Sequence, residues 1–326
     1  IDLVTIAVVG GLFLAFGLIS DRLEGTVLTA PLLFVVFGFA ANATGAADIA
    51  IDHTAIHVIA ELTLILVLFT DAARIDLGLV TRDHDLPARM LLAGLPLSIA
   101  AGGVVAAWLF PEFTFWEAAL LAALLAPTDA ALGQSVVSAR AVPLRIRQSI
   151  NIESGLNDGI ALPAVLLFAA FAGAAESAAA PGEWIRFGLM QVIIGPIVGG
   201  LIGYAGARLI DTATARGWVT TAFQGIGILS LAILSYALSE LAGGNGFISA
   251  FVSGMVFGNR LRHACTFLFE FMESEGQLLM LITFLVFGAA LLPEALAHAD
   301  ARIIVYALLS LTVIRIVPIA LSVMGT

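Results

Sequence analysis

Long unbroken apolar runs alternate with short polar stretches along the whole chain. Eleven of these runs are long enough to read as membrane spans. They are Leu3–Ser20, Thr26–Ala41, Ala55–Ala72, Leu86–Trp108, Trp116–Ser138, Asn151–Gly173, Trp184–Ile210, Trp218–Leu241, Gly246–Gly258, Gln277–Leu292 and Arg302–Val323. A helix rises about 1.5 Å per residue, so roughly 20 apolar residues cross a hydrocarbon core of about 30 Å. Gly246–Gly258 is short for this and is expected to extend or to lie obliquely. The runs are continuous instead of alternating, which excludes a transmembrane barrel. Between them stand turn signals such as Asn42 to Gly45, Arg82 to Asp85, Pro181-Gly182 and Gly243 to Asn245.

Composition strengthens the pattern. The 326 residues are 60% hydrophobic and 12% charged, with a mean hydropathy of +1.06. A soluble domain of this size would expose a continuous apolar patch, so the expectation is an all-α polytopic membrane protein. The first run lacks a basic leader and a small-residue cleavage site and is read as a true span. Cys265 is the single cysteine, which excludes an internal disulfide and a thiolate metal cluster. No cofactor and no nucleic acid partner are expected.

All 14 basic residues are arginines. With the N-terminus placed outside, the inner connections hold Arg22, Arg74, Arg82, Arg89, Arg140, Arg145, Arg147, Arg208, Arg216, Arg260 and Arg262. The outer connections hold Arg186 and Arg302. This bias places the N-terminus outside and the arginine-rich loops in the cytoplasm, in keeping with a bacterial plasma (inner) membrane. Arg315 lies inside the last span.

The chain also repeats itself. Val36-Phe37-Gly38 with Asn42 recurs as Val256-Phe257-Gly258 with Asn259, an offset of 220 from Phe37 to Phe257. The run around Phe69 recurs around Phe287 at an offset of 218, and Pro96 recurs as Pro318 at an offset of 222. Spans two to four then match spans nine to eleven in opposite orientation, because the copies are seven spans apart. Inverted repeats are an architecture of secondary transporters. The expected division is residues 1–172 as the first repeat (spans one to six), 173–217 as a linking span, and 218–326 as an incomplete second repeat. Counterparts of spans five and six would fall beyond Thr326, so eleven spans of an expected thirteen are present.

Chemistry concentrates between Leu125 and Gly159. An ionised carboxylate at mid-membrane costs at least about 2.5–3.5 kcal/mol, so acids there are functional candidates. Pro127 lacks an N–H and crowds the preceding turn, which predicts a broken helix near the midplane. Freed carbonyls, the Thr128 hydroxyl and Asp129 would make an oxygen-rich pocket for a hard cation; a proline kink in a packed helix is the plainer alternative. In the next span, Glu153 and Asn157 share a face, and Asp158 is turned from them by about 100°. Asp158 is expected to face the Thr128/Asp129 break and to alternate between a proton and a cation, with Ser154 one turn before it. A helix-capping role is the alternative, which Asp158 fits poorly. Arg315 needs a buried acid, and Glu153 is the expected partner. Asp71 lines the cytoplasmic mouth or is a solvated helix end. Asn259 to Gln277 reads as an interfacial amphipathic helix. No nucleophile–base pair is found, which disfavours an intramembrane hydrolase.

Pro-Thr-Asp at 127–129, Glu-Ser-Gly-Leu-Asn-Asp-Gly at 153–159 and Leu-Phe-Thr-Asp at 68–71 resemble the monovalent cation:proton antiporters of the NhaP/NHE type. Gly246 to Phe251, Val256-Phe257-Gly258 and Arg315 followed by Pro318 support the resemblance, which covers essentially the whole chain. It implies thirteen spans, a homodimer and an elevator-like core. It also implies Asp158 as ion-binding acid helped by Thr128, Asp129 and Ser154, Asp71 on the path, and a Glu153–Arg315 ion pair. The expected activity is exchange of Na⁺ (or Li⁺) for H⁺. It is expected to be electroneutral and 1:1, because position 157 is asparagine and leaves one titrating acid. K⁺/H⁺ exchange is the near alternative, and a gated cation channel the alternative from another class.

Overall fold

A computed structural model of the chain describes residues 3–23, 26, 28–45, 53–75, 77–78, 85–128, 142–176, 181–261 and 266–324. The helices are α1 (Leu3–Leu23), α2 (Ala30–Thr44), α3 (His53–Ala73), α4 (Asp85–Leu109) and α5 (Phe115–Leu125). They continue with α6 (Leu144–Glu176), α7 (Pro181–Ala215), α8 (Thr221–Leu241) and α9 (Gly246–Arg260). α10 comprises Thr266–Val286, a π turn at Phe287–Leu291 and Leu292–Ala297. α11 comprises Ala301–Leu311 and Val313–Ser322. Among the described residues, eight helices are long and apolar enough to cross a membrane, and α2 and α5 are shorter apolar helices. The chain is an all-α integral membrane protein.

Each expected span is met by a helix, with three differences. α6 begins at Leu144, seven residues before the expected Asn151. α5 stops at Leu125, and residues 129–138 of the expected fifth span lie outside the described residues. Among the described residues no separate interfacial helix stands between Asn259 and Gln277. α9 runs to Arg260, and one continuous helix then leads from Thr266 into the tenth span. A run without Pro or Gly offers nothing to stop the helix between Thr266 and Glu275.

Helix ends follow local chemistry. Thr114 and Glu117 form a reciprocal capping box at the start of α5. The Asn245 side chain accepts from Ile248 N at 3.0 Å to start α9, and Asp300 does the same for Ile303 N at 2.9 Å to start α11. α4 carries a π turn at Met90–Gly94 and α10 one at Phe287–Leu291. Each precedes a proline, Pro96 and Pro293, which lacks an N–H and crowds the carbonyl four residues back.

The helices fall into two compact units. One holds Ile1–Leu64 with Glu270–Ala299, and the other holds Ile65–Phe269 with Asp300–Thr326. In the first, Phe13 and Phe16 of α1 pack edge-on against the fully buried Phe34 of α2. α2 then presses on α10 so closely that a Cβ at Gly38 would collide with the Leu285 carbonyl. Pro293 leaves the carbonyl of Ala289 without its helical donor, and Asn42 Nδ2 of α2 supplies one at 2.8 Å.

In the second unit α9 is the buried centre. Ile248, Ser249, Ala250, Phe251, Ser253 and Phe257 are all buried. Gly199 and Gly203 of α7 have no room for a Cβ against the carbonyls of Ser249 and Ser253. On another flank, Gly254 and Gly258 of α9 meet the backbone of Phe69 and Ala73 in α3 just as closely. Asn259 closes this contact, donating to Ile75 O at 2.7 Å and accepting from Leu77 N at 3.0 Å. The contacts Gly38–Leu285 and Gly254–Phe69 are related by a shift of 216 in both members, as are Asn42–Ala289 and Gly258–Ala73. The offsets of 218 to 222 expected from apolar matches differ from this. Apolar side chains interchange freely along a lipid-facing helix, whereas a backbone-to-backbone approach tolerates little but glycine.

Candidate functional site

The site is built where α5 stops. Pro127 cannot donate to the Ala123 carbonyl, and α5 ends two residues before it, at Leu125. The following carbonyls carry the negative end of the α5 dipole. Two side chains donate to them. Arg315 of α11 donates from Nη1 to the Ala126 carbonyl and from Nη2 to Thr128 Oγ1 at 2.6 Å. Asn157 of α6 donates from Nδ2 to the Thr128 carbonyl at 2.9 Å and, more distantly, toward Thr128 Oγ1 at 3.4 Å. A carbonyl accepts only, so the nitrogen end of the Asn157 amide faces the break.

Arg315 also pairs with Glu153, Nη2 to Oε1 at 2.8 Å. Glu153 is 3% exposed and Asn157 fully buried. A buried pair is more tolerable when the cation finds further acceptors, and here the Ala126 carbonyl and the Thr128 hydroxyl are two of them. α11 is interrupted at Thr312 (φ −124, ψ −94), three residues before Arg315.

Glu153 and Asn157 share one face of α6, as their spacing requires, and this face meets the break. The partner that the sequence predicts for Glu153, Arg315, is the one found, and the bond from Asn157 to Thr128 is an addition to what the sequence predicts. The signal was available in the motif, because a carboxamide beside a helix whose carbonyls are freed by proline is a ready donor.

The Thr128 hydroxyl and the Ala126 carbonyl both serve Arg315 here. Their expected use as cation ligands therefore requires the guanidinium to withdraw. Ser154 is buried and Asp158 partly buried, one turn apart on α6. This stretch is held closely: a Cβ at Gly159 would collide with the Phe251 ring of α9, and one at Gly155 would touch Ile75. Leu156 packs against the buried cluster of Leu68, Ala72, Ile75 and Phe251, and Asp71 is exposed on the last turn of α3. Asp129 lies outside the described residues. An open cavity of about 510 Å³ reaches Thr128, Glu153, Ser154 and Arg315 between α4 and α11.

Several known proteins share this chain's pattern. The K(+)/H(+) antiporter NhaP of Alkalimonas amylolytica is 28% identical over 305 residues, which cover 90% of this chain and 50% of that protein. The K(+)/H(+) antiporter NhaP2 of Shewanella oneidensis is 29% identical over 288 residues, covering 85% and 47%. The Na(+)/H(+) antiporter 2 of Zygosaccharomyces rouxii is 30% identical over 188 residues, covering 53% and 22%. The chain spans about half the length of the bacterial relatives it matches. The sodium proton antiporter MjNhaP1 from Methanocaldococcus jannaschii has the same fold, with a TM-score of 0.73 at 17% identity over 98% of this chain and 79% of that one. The family described as sodium/hydrogen exchanger, transmembrane, matches residues 4–325, and the chain belongs to it.

Proposed function

We propose that this chain is the membrane part of a cation:proton antiporter in which Asp158 holds the proton and the cation by turns. The observation that carries the proposal is the neutral framework around the break, in which a buried ion pair and a carboxamide meet Thr128. Glu153 and Arg315 cancel each other, and Asn157 adds no charge. Asp158, one residue further along α6, then supplies the charge that changes. Ser154 and Asp129 are its proposed helpers, Asp71 lies on the proposed path, and Thr128 joins the cation ligands once Arg315 withdraws. The homodimer, the outside N-terminus and the inverted relation of residues 1–172 to 218–326 belong to the same proposal.

Na⁺ or Li⁺ is the proposed cargo. The bacterial relatives are named for K⁺ and the yeast relative for Na⁺, which favours K⁺ as the second reading. One titrating acid carries one cation one way and one proton the other, so exchange is electroneutral. The test uses the protein in proteoliposomes with an outward proton load and Na⁺, Li⁺ or K⁺ added outside. Addition of Na⁺ or Li⁺ should release protons at a rate independent of a clamped potential, and Asp158→Asn should abolish it. Release by K⁺ alone would overturn the choice of ion. A current following voltage without proton movement would overturn antiport.

A further inference from the structure

α7 carries a second feature that transport chemistry does not use. Ile193, Ile197, Leu201 and Tyr204 are spaced at four, four and three residues, so they form one stripe along the helix. All four are exposed, Ile193 and Ile197 at 56%, Leu201 at 67% and Tyr204 at 41%. The stripe ends in charge. The Arg208 guanidinium lies 5.3 Å from the centre of the Tyr204 ring, and that of Arg260, at the end of α9, lies 5.9 Å from the same ring. Nearby in sequence, Arg216 lies over the Trp218 ring at 4.7 Å.

Two guanidiniums around one ring repel each other and gain modestly from the π face. Among the described residues no carboxylate pairs with Arg208 or Arg260. Both are exposed and both come from helices held rigidly together, since Gly199 and Gly203 lock α7 against α9. The backbone positions that carry the two arginines are therefore held at a fixed separation.

We propose that this feature is a binding site for one anionic phospholipid. The phosphate sits between Arg208 and Arg260, the glycerol region lies on Tyr204, and an acyl chain runs along Leu201, Ile197 and Ile193. The dimensions fit. From Tyr204 to Ile193 the helix rises about 16 Å, close to half of a hydrocarbon core of roughly 30 Å. An apolar stripe of one leaflet's depth, closed by two cations and an aromatic ring, has the polarity sequence of a phospholipid. A second copy of the chain is the competing occupant, and the oligomeric state of the arginine variant below distinguishes it. The proposal is independent of which ion the protein exchanges.

The test is native mass spectrometry of the whole protein in detergent, titrated with dioleoyl-phosphatidylglycerol, dioleoyl-phosphatidylcholine or inorganic phosphate. One phosphatidylglycerol should be retained preferentially, and phosphatidylcholine and inorganic phosphate should not compete for it. Arg208→Gln and Arg260→Gln should each weaken retention about fivefold, the factor expected for one basic group near a membrane surface. Tyr204→Phe, which keeps the ring, should leave it unchanged. Equal retention of both lipids, displacement by inorganic phosphate, or unaltered retention in the two arginine variants would each overturn the proposal. So would a loss of dimer in lipid-free Arg208→Gln, which would make the face a contact between copies. Both arginines are exposed, and a thermal melt in the absence of lipid should show each variant folded like the parent. A variant that melts lower without lipid would show the arginines to be structural and would equally overturn it.

Discussion

α9 and the end of α5 belong to the same unit, yet they are held by opposite means. α9 lies among glycines and serines, with Gly199 and Gly203 on one flank and its own Gly254 and Gly258 on another. Ser235 and Ser249 bond each other and each other's carbonyls between α8 and α9, at 2.9 to 3.1 Å. The α5 end is held differently. It is held by a guanidinium, a carboxylate and a carboxamide that reach in from α11 and α6. Small residues fix a position by leaving no room, whereas long polar side chains fix it by bonds that can be exchanged. A scaffold suits the first and a site that must change charge suits the second.

The comparison breaks most sharply at Arg315. Arg315→Ala leaves Glu153 buried and alone and also removes the donors of Ala126 and Thr128. We expect a loss of about 3–5 kcal/mol, measured by reversible unfolding in mixed micelles. Arg315→Gln combined with Glu153→Gln should recover much of it, because neither charge is then stranded. Equal losses in the single and double variants would show that the pair is not what holds the break.

The glycine side should respond less and without rescue by charge. Gly199→Val drives a branched side chain into the Ser249 backbone, and overpacking of this kind costs about 1–3 kcal/mol. Gly227→Ala in α8 is the contrast, since a Cβ there meets nothing within 4 Å. That substitution should stabilise by about 0.5–1 kcal/mol through helix propensity alone. If both substitutions act alike, closeness of approach is not what distinguishes the glycines.

The smallest effect is expected at the surface. Asp300 caps α11 and bonds Arg302 Nε at 2.8 Å. The Ile303 backbone N–H, and then the Arg302 side chain, hold its carboxyl below the ordinary value of 3.8. Its folded value is the lower one, so its contribution is full above pH 4 or so and is lost as pH falls through the folded value. Asp300→Asn should therefore lower the melting temperature slightly at neutral pH and not at all in strong acid. A difference that persists in acid would assign the effect to the cap geometry instead of the charge.

Much of this arrangement was legible in the sequence. The eleven apolar runs gave the helices because bilayer thickness leaves few alternatives for a stretch such as Arg302–Val323. The break at Pro127 followed from one missing N–H, and the Arg315–Glu153 contact from the need of a buried cation for an acid. What could not be read was the direction of approach. Whether Asn157 or Asp158 meets Thr128 depends on how α6 is rotated, and apolar residues all around that helix leave its rotation unmarked. The π turns were equally hidden, since Pro96 and Pro293 announce a disturbance but not whether the helix widens or kinks. Gly38 resembles Gly258 in its sequence neighbours, whereas its close approach to Leu285 parallels that of Gly254 to Phe69.

The bond from Asn42 to the Ala289 carbonyl has a historical consequence. Asn42 is needed there because Pro293, nine positions before Arg302, has no N–H to give. A lineage that loses the proline first restores the helical donor and relieves Asn42 of its task, after which that position can drift. A lineage that loses the asparagine first strands a carbonyl at the α2–α10 contact and is selected against. The two positions should therefore change in one order and seldom in the other, and the order is set by a single hydrogen atom that proline lacks.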